Sequence, residues 1–194
     1  MNILIVAATH FEITSKDIAK NTVLITGLGM VNTAISLTRE LMKSNYDLVI
    51  NVGIAGSFVD NFVFGDVVEV IEDNFSEIGF QDNLEFSLFN DFDVKTKHLV
   101  IPKTYLRRAR AITVNTVHGN KDSINSIIKR VSPDIESMEG ASVFKVCEEF
   151  KIECMQIRAI SNRVEPRDKD KWELDLAVKN LNFEVEKIIS DLCN

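Results

Sequence analysis

The stretch TVLITGLGMVNTAISLTRELMKSNYDLVINVG, residues 22–53, holds three elements in succession. TVLITG (22–27) and DLVINVG (47–53) are apolar runs of strand length, and MVNTAISLTRELMKS (30–44) between them carries apolar residues at helical spacing. On either side the rhythm continues. NILIVAA (2–8), DVVEVI (66–71), AITVNTV (111–117) and CMQIRAIS (154–161) are further strand candidates. NKDSINSIIKRV (120–131), EGASVFKVCEEF (139–150) and KDKWELDLAVKNLNFEVEKIISDL (169–192) are helix candidates. This alternation predicts an α/β fold of three layers, a mostly parallel twisted central sheet with helices on both faces. Ligands of such a sheet sit beyond the carboxyl ends of its strands.

Composition narrows the class. The chain has 194 residues, 45% of them hydrophobic, enough to core one domain spanning residues 1–194. No apolar run reaches the roughly 20 residues of a membrane helix. The opening MNILIVAATHFE lacks a basic leader and reads as a first strand of a cytoplasmic protein. A net charge of −7 argues against a nucleic-acid surface. The one dense basic run, KTYLRRAR (103–110), reads as a solvated face. Cys147, Cys154 and Cys193 have no C-x-x-C spacing, and His10, His98 and His118 form no H-x-x-x-H pair, so neither a metal nor another cofactor is expected. Residues 74–97 break the rhythm with five irregularly spaced phenylalanines, as a lid would, or a loop anchored on the core or on a second subunit.

The strand ends carry the chemistry. GLGMVN (27–32) and NVGIAGSF (51–58) supply Gly27, Gly29, Gly53, Ala55 and Gly56, small residues that let a ligand approach the backbone. The first turn also has two glycines of a dinucleotide fingerprint, but Asn32 stands where the third should be. Asp47 begins a strand where the ribose carboxylate should end one, which counts against that fold. Glu12 follows the first strand and Glu139, with Glu136 just before it, starts a helix. A glutamate at a helix start is favourable through the helix dipole alone, and Glu12 equally suits a solvated first-turn position, so spacing leaves both readings of each open.

Glu12, NVGIAGSF, ESMEGAS (136–142) and RAISN (158–162) together resemble the nucleosidase and nucleoside phosphorylase superfamily across nearly the whole chain. TVNTVHGN (113–120) and ISNRVEPRDKDKW (160–172) are similar to its futalosine hydrolase branch, which serves menaquinone biosynthesis. The resemblance implies hydrolysis of the N-ribosidic bond of a purine nucleoside, releasing hypoxanthine, in a homodimer or higher homo-oligomer. It implies Glu12 as general base toward water, with Arg158 beside the same water. Glu139 would bind the ribose hydroxyls, with Met138 under the sugar and the backbone at Thr116 and Val117 along the purine edge; Gly53 and Ile54 fall in the sugar-side turn. Relatives that use phosphate bind it through arginines and a serine, where this chain has ATHFE (8–12), Asn51 and Ile54, so water is the expected nucleophile. The adenine-cleaving relatives are methylthioadenosine and S-adenosylhomocysteine nucleosidases, and they end the RAISN strand on an aspartate. Asn162 offers an amide instead, which suits a 6-oxopurine. A turn asparagine satisfying local backbone is the alternative. For the 5′ carboxyphenyl group of futalosine, Phe80 and Phe86 are apolar candidates and Arg163 or Arg167 a cation. A silent nucleoside-binding module is the alternative to an enzyme, but such a module has no use for a water-activating base.

Overall fold

The strands and helices alternate in space as they do in sequence, in a computed structural model that describes residues 1–83, 85–89, 92–166 and 168–193. Ten strands and four α-helices follow in the order β1 (Ile3–Ala7), β2 (Thr22–Ile25), α1 (Met30–Leu41), β3 (Leu48–Ser57), β4 (Val67–Phe75), β5 (Phe80–Asp82), β6 (Glu85–Ser87), β7 (Lys97–Leu99), β8 (Arg107–Thr113), α2 (Lys121–Val131), β9 (Ile135–Ser137), α3 (Gly140–Phe150), β10 (Glu153–Arg163) and α4 (Leu174–Cys193). Arg167, a candidate for the 5′ end of the ligand, lies outside the described residues. Among the described residues no helix is long and apolar enough to cross a membrane.

Alternation within β1 builds the layers. Leu4 and Val6 point to one face, packing with Leu37 and Leu41 of α1 and Val143, Phe144 and Cys147 of α3. Ile3, Ile5 and Ala7 point to the other, where Ala177, Leu181, Val185 and Ile188 of α4 cover them. That stripe on α4 repeats at helical spacing, so one face of a 20-residue helix is buried. Each fully buried Ile or Leu here is worth about 1.5–3 kcal/mol in removal from water.

The sheet is mixed, and part of it closes. β1, β2, β3 and β10 run parallel to one another. β4 joins β10 antiparallel, β8 and β9 continue parallel to β4, and β9 returns antiparallel to β3. Five strands, β3, β10, β4, β8 and β9, therefore form a ring. β3 is shared: it pairs with β1 over Leu48–Asn51 and with β9 only at Gly56 and Ser57. Between those pairings its edge is open, and the functional side chains converge there.

Three segments differ from expectation. The basic run forms the start of β8, with Ala109 turned into the core between exposed Arg108 and Arg110, so it is a strand as well as a solvated face. That strand stops at Thr113 instead of Val117, because the backbone of Asn115 is drawn off by Glu77. Residues 74–97 contain the end of β4 and the β5–β6 hairpin, with Phe80 packed against Phe89 and Phe86 beneath the Arg130 guanidinium.

Candidate active site

Glu12 is delivered by a short 3-10 turn, His10–Glu12, directly after β1. Its side chain folds back so that Oε2 accepts from the Thr9 N–H at 2.9 Å and the Thr9 hydroxyl at 3.3 Å. Oε1 accepts from the Ile54 N–H at 3.3 Å, satisfying a donor on the open edge of β3. The Glu12 carbonyl is fixed from the other side by Asn182 of α4, whose Oδ1 also receives the N–H groups of Thr14 and Ser15. A carboxylate only 8% exposed is thus held by three donors.

Gly53 makes room for this arrangement. A Cβ there would stand 2.7 Å from Glu12 Oε1 and 3.0 Å from Arg158 Nη1, so a side chain would displace both. Arg158, from β10, is 1% exposed. Its Nη2 donates to Asn51 Oδ1 at 2.5 Å, while Asn51 donates to the Val6 carbonyl. Burial pulls the Arg158 pKa down, opposed by Glu139, Glu12 and Asp73. The three carboxylates thus favour the charged guanidinium against the cost of its burial.

Glu139 caps the start of α3 by position but not by its side chain. Oε1 accepts instead from the Gly29 N–H at 2.9 Å, at the beginning of α1. The anion at that helix N-terminus is supplied by the protein itself, which removes the dinucleotide reading of the Gly27–Gly29 turn. Glu139 is 9% exposed, and burial raises its pKa against the pull of the Gly29 N–H and Arg158.

A cavity of about 470 Å³ opens over these groups, within the usual range for small-molecule sites. Glu12, Ile54, Val117, Met138, Glu139 and Asn162 are all on its wall. Arg158 and Gly53 are not among the wall residues; they lie beneath, against Glu12. Thr116 is exposed and off the wall, because the chain after β8 turns outward before Val117. Phe80 and Phe86 are also off it, held in the hairpin. Arg163 reaches the wall, but its guanidinium donates to the Val59 and Asp60 carbonyls. The sequence reading gave no role to Phe11, Leu28, Trp172 and Leu174, which give the cavity apolar surface, and missed the pair His118 and Glu136.

Asn162 lies beyond a bulge in β10, where the register with β3 shifts between Ile160 and Asn162. Its Oδ1 accepts from the Ser161 hydroxyl at 2.8 Å, and its Nδ2 donates to the Arg163 carbonyl at 2.8 Å. A carbonyl only accepts, so that contact fixes which end of the amide is nitrogen, and among the described residues the second N–H makes no hydrogen bond. Gly56 pairs with Asn162 on one side and Glu136 on the other. A Cβ on it would be 2.9 Å from a Val164 methyl, 3.1 Å from Asn162 Nδ2 and 3.7 Å from Glu136 Cγ, so a side chain there would crowd all three.

Beneath the wall Asp73 accepts from the Thr113 hydroxyl at 2.9 Å and from Gln156 Nε2 at 3.1 Å. Thr113 accepts in turn from the Ala141 N–H in the first turn of α3, tying this carboxylate to the helix that carries Glu139. Burial pushes the Asp73 carboxyl up to about 6, against the pull of Gln156, Thr113 and Arg158. The native state then binds more protons than the unfolded chain between its ordinary pKa and about 6, so stability falls as pH rises through that window. Asp73→Asn abolishes this loss. The stability of the variant relative to wild type should increase by about 3 kcal/mol at most between pH 4 and pH 7, read by urea unfolding at both. A difference independent of pH would show that Asp73 does not titrate in this way.

Residues 6–190 match the family model described as Phosphorylase superfamily. The futalosine hydrolase of Thermus thermophilus is 24% identical over an alignment covering 86% of this chain and 80% of that protein. The 5′-methylthioadenosine/S-adenosylhomocysteine nucleosidase of Staphylococcus haemolyticus is 26% identical, covering 99% and 91%. Among solved structures, that of the corresponding nucleosidase from Colwellia psychrerythraea in complex with adenine superposes with a TM-score of 0.82 at 16% identity, covering 98% of this chain and 95% of that one.

Proposed function

The chain belongs to the phosphorylase superfamily and is a hydrolase of N-glycosyl bonds, and from that premise we propose that its substrate is futalosine, cleaved to hypoxanthine and dehypoxanthine futalosine in menaquinone biosynthesis. The observation that carries this reading is the amide of Asn162 at the strand end on the cavity wall, one N–H of which has no acceptor among the described residues. A 6-oxopurine presents acceptors at nitrogen 7 and the 6-oxo group, and an amide N–H meets either without a change of protonation. Phe11, Leu28, Trp172 and Leu174 supply apolar surface for an aromatic 5′ group, in place of the phenylalanines of the hairpin.

In this reading Glu12 takes a proton from the attacking water while Glu139 accepts the ribose hydroxyls. Met138 packs under the sugar, and Val117 borders the base. Cleavage builds positive charge on the ribose, and the carboxylates of Glu12 and Glu139 stabilise that charge from fixed positions. Arg158 acts through Glu12 and Asn51, as a positioning residue beneath the wall.

Water, and not phosphate, is the nucleophile we assign. Asn51 spends its amide on Arg158 and Val6, and Ile54 spends its N–H on Glu12. The Arg163 guanidinium, also at the wall, is committed to Val59 and Asp60. A dianion would find little there to replace its hydration. Reaction in high phosphate should therefore yield free reducing sugar and no sugar 1-phosphate; the phosphorylated sugar as main product would reverse the assignment.

The substrate is tested by incubating the protein with futalosine, inosine and methylthioadenosine and following free base by chromatography. Hypoxanthine from futalosine at the highest kcat/KM is expected. Preferential adenine release would make the chain a methylthioadenosine/S-adenosylhomocysteine-type nucleosidase, and no base from any substrate would leave a nucleoside-binding module. A cytoplasmic homodimer or higher homo-oligomer completes the proposal. Leu28, Val31 and Ile35, exposed at the start of α1 beside the cavity, offer an apolar surface for a second copy.

A further inference from the structure

We propose that His118, oriented by Glu136, is the proton donor to the departing purine. The inference rests on the nucleosidase reading above and adds to it the group that the amide of Asn162 cannot supply. An amide donates a hydrogen bond but does not give up its proton, whereas a base leaving with the N9–C1′ bonding pair gains from receiving one.

The cavity wall carries an imidazole in the right company. His118 follows β8 and Glu136 sits in β9, brought side by side by the parallel pairing of Ile112 with Glu136. Both oxygens of Glu136 are used on this one residue: Oε1 accepts from the His118 backbone N–H at 3.0 Å, and Oε2 meets Nδ1 at 2.6 Å. Glu136 is 4% exposed, and an ionised carboxylate only accepts, so Nδ1 carries a hydrogen. The edge of Phe58 holds the ring from another side, with centroids 6.0 Å apart.

Orientation through Nδ1 leaves Nε2 as the working atom. Among the described residues no hydrogen bond is made by Nε2, and it is not sealed away. In that it differs from His98, whose Nδ1 also meets a glutamate but whose Nε2 is buried without a partner. Gly56 links the two groups, because it pairs with Asn162 on one side and Glu136 on the other, and His118, Glu136 and Asn162 all line the cavity. A base that receives the Asn162 N–H on one atom lies within the region that His118 borders.

The step balances. The N9–C1′ bond breaks with its electron pair going to the purine, which takes the proton from Nε2 of the imidazolium. Water forms the new bond to C1′ and loses its proton to Glu12. His118 is left neutral, still donating from Nδ1 to Glu136, and is reprotonated by solvent as Glu12 releases its proton. Glu136 also offsets the imidazolium charge before transfer. The other charged wall residues, Glu12, Glu139, Arg163, Glu165 and Asp168, share the cavity with this pair.

The test compares futalosine with its N7-methylated derivative, whose base already carries a positive charge and needs no proton to leave. His118→Asn retains a donor toward Glu136 in place of Nδ1 and removes Nε2. We expect kcat on futalosine to fall by roughly 10²-fold, the low end for general acid catalysis, while turnover of the methylated substrate stays near wild type. That retained turnover also shows the variant folded with its site intact. Glu136→Gln should give the same selective loss to a smaller degree. Equal losses on both substrates, or no loss on either, would overturn the role of His118. A wild-type protein that releases purine from neither substrate would overturn the nucleosidase reading beneath it, a result distinguishable from the first two.

Discussion

Glu12→Gln should bind substrate and keep its fold while kcat falls by roughly 10²- to 10⁴-fold, the usual cost of losing a general base. The substituted amide can place its oxygen where Oε2 now accepts from the Thr9 N–H and hydroxyl, the shorter of the two sets of contacts. Its NH2 then faces the Ile54 N–H, a donor against a donor, at the weaker 3.3 Å contact. It also comes close to Arg158, since both groups crowd the same point above Gly53. The structural cost is therefore that of one poor hydrogen bond, about 1–3 kcal/mol, and a thermal melt should register it. The chemical cost is larger and separate, because an amide cannot accept the proton of water. Single-turnover release of hypoxanthine isolates that step from binding. Near-normal turnover would take Glu12 out of the mechanism and leave it as the residue that satisfies the open edge of β3.

Residues 22–53 announced a parallel strand–helix–strand unit because each segment has its own local period, and β1, β2, β3, β4 and β10 all lie where such periods place them. Ring closure left no such trace. β9 has only three residues, and its partners are chosen by register with β3 and β8, far apart in sequence. The β5–β6 hairpin has the same difficulty, with strands of three residues in a polar segment. This explains why Glu12, Ile54, Met138, Glu139 and Asn162, named through the family resemblance at strand ends, all line the cavity, while His118 and Glu136 could not be paired. Eighteen residues separate them, and nothing in that spacing puts them in contact until β8 and β9 lie side by side. Arg158 shows the converse. The resemblance places it beside the attacking water, yet it lies in the middle of β10, within a continuously buried run, where Asn51 and the surrounding carboxylates make its burial tolerable.

Asn162→Asp should move the substrate preference from hypoxanthine toward adenine. One oxygen of the new carboxyl can keep the bond from the Ser161 hydroxyl, but the other must face the Arg163 carbonyl, which now accepts from Nδ2 at 2.8 Å. Two acceptors at that separation repel, so the carboxyl is driven to hold a proton, as the wild-type amide never needs to. Whether the proton turns to the Arg163 carbonyl or to nitrogen 7 of the base, the N–H that served a 6-oxo group is gone and an acceptor suited to a 6-amino group has appeared. A mismatched polar contact costs about 1–3 kcal/mol on each substrate, and here the two costs have opposite sign. The ratio of kcat/KM for hypoxanthine and adenine nucleosides sharing one 5′ group should therefore shift by roughly 10²- to 10³-fold. On the proposed reading the wild type should favour hypoxanthine, and the variant should give up most or all of that preference. An unchanged ratio would mean that the amide serves only the bulge, bridging Ser161 and Arg163 where β10 slips its register against β3, and that base selection resides elsewhere on the wall.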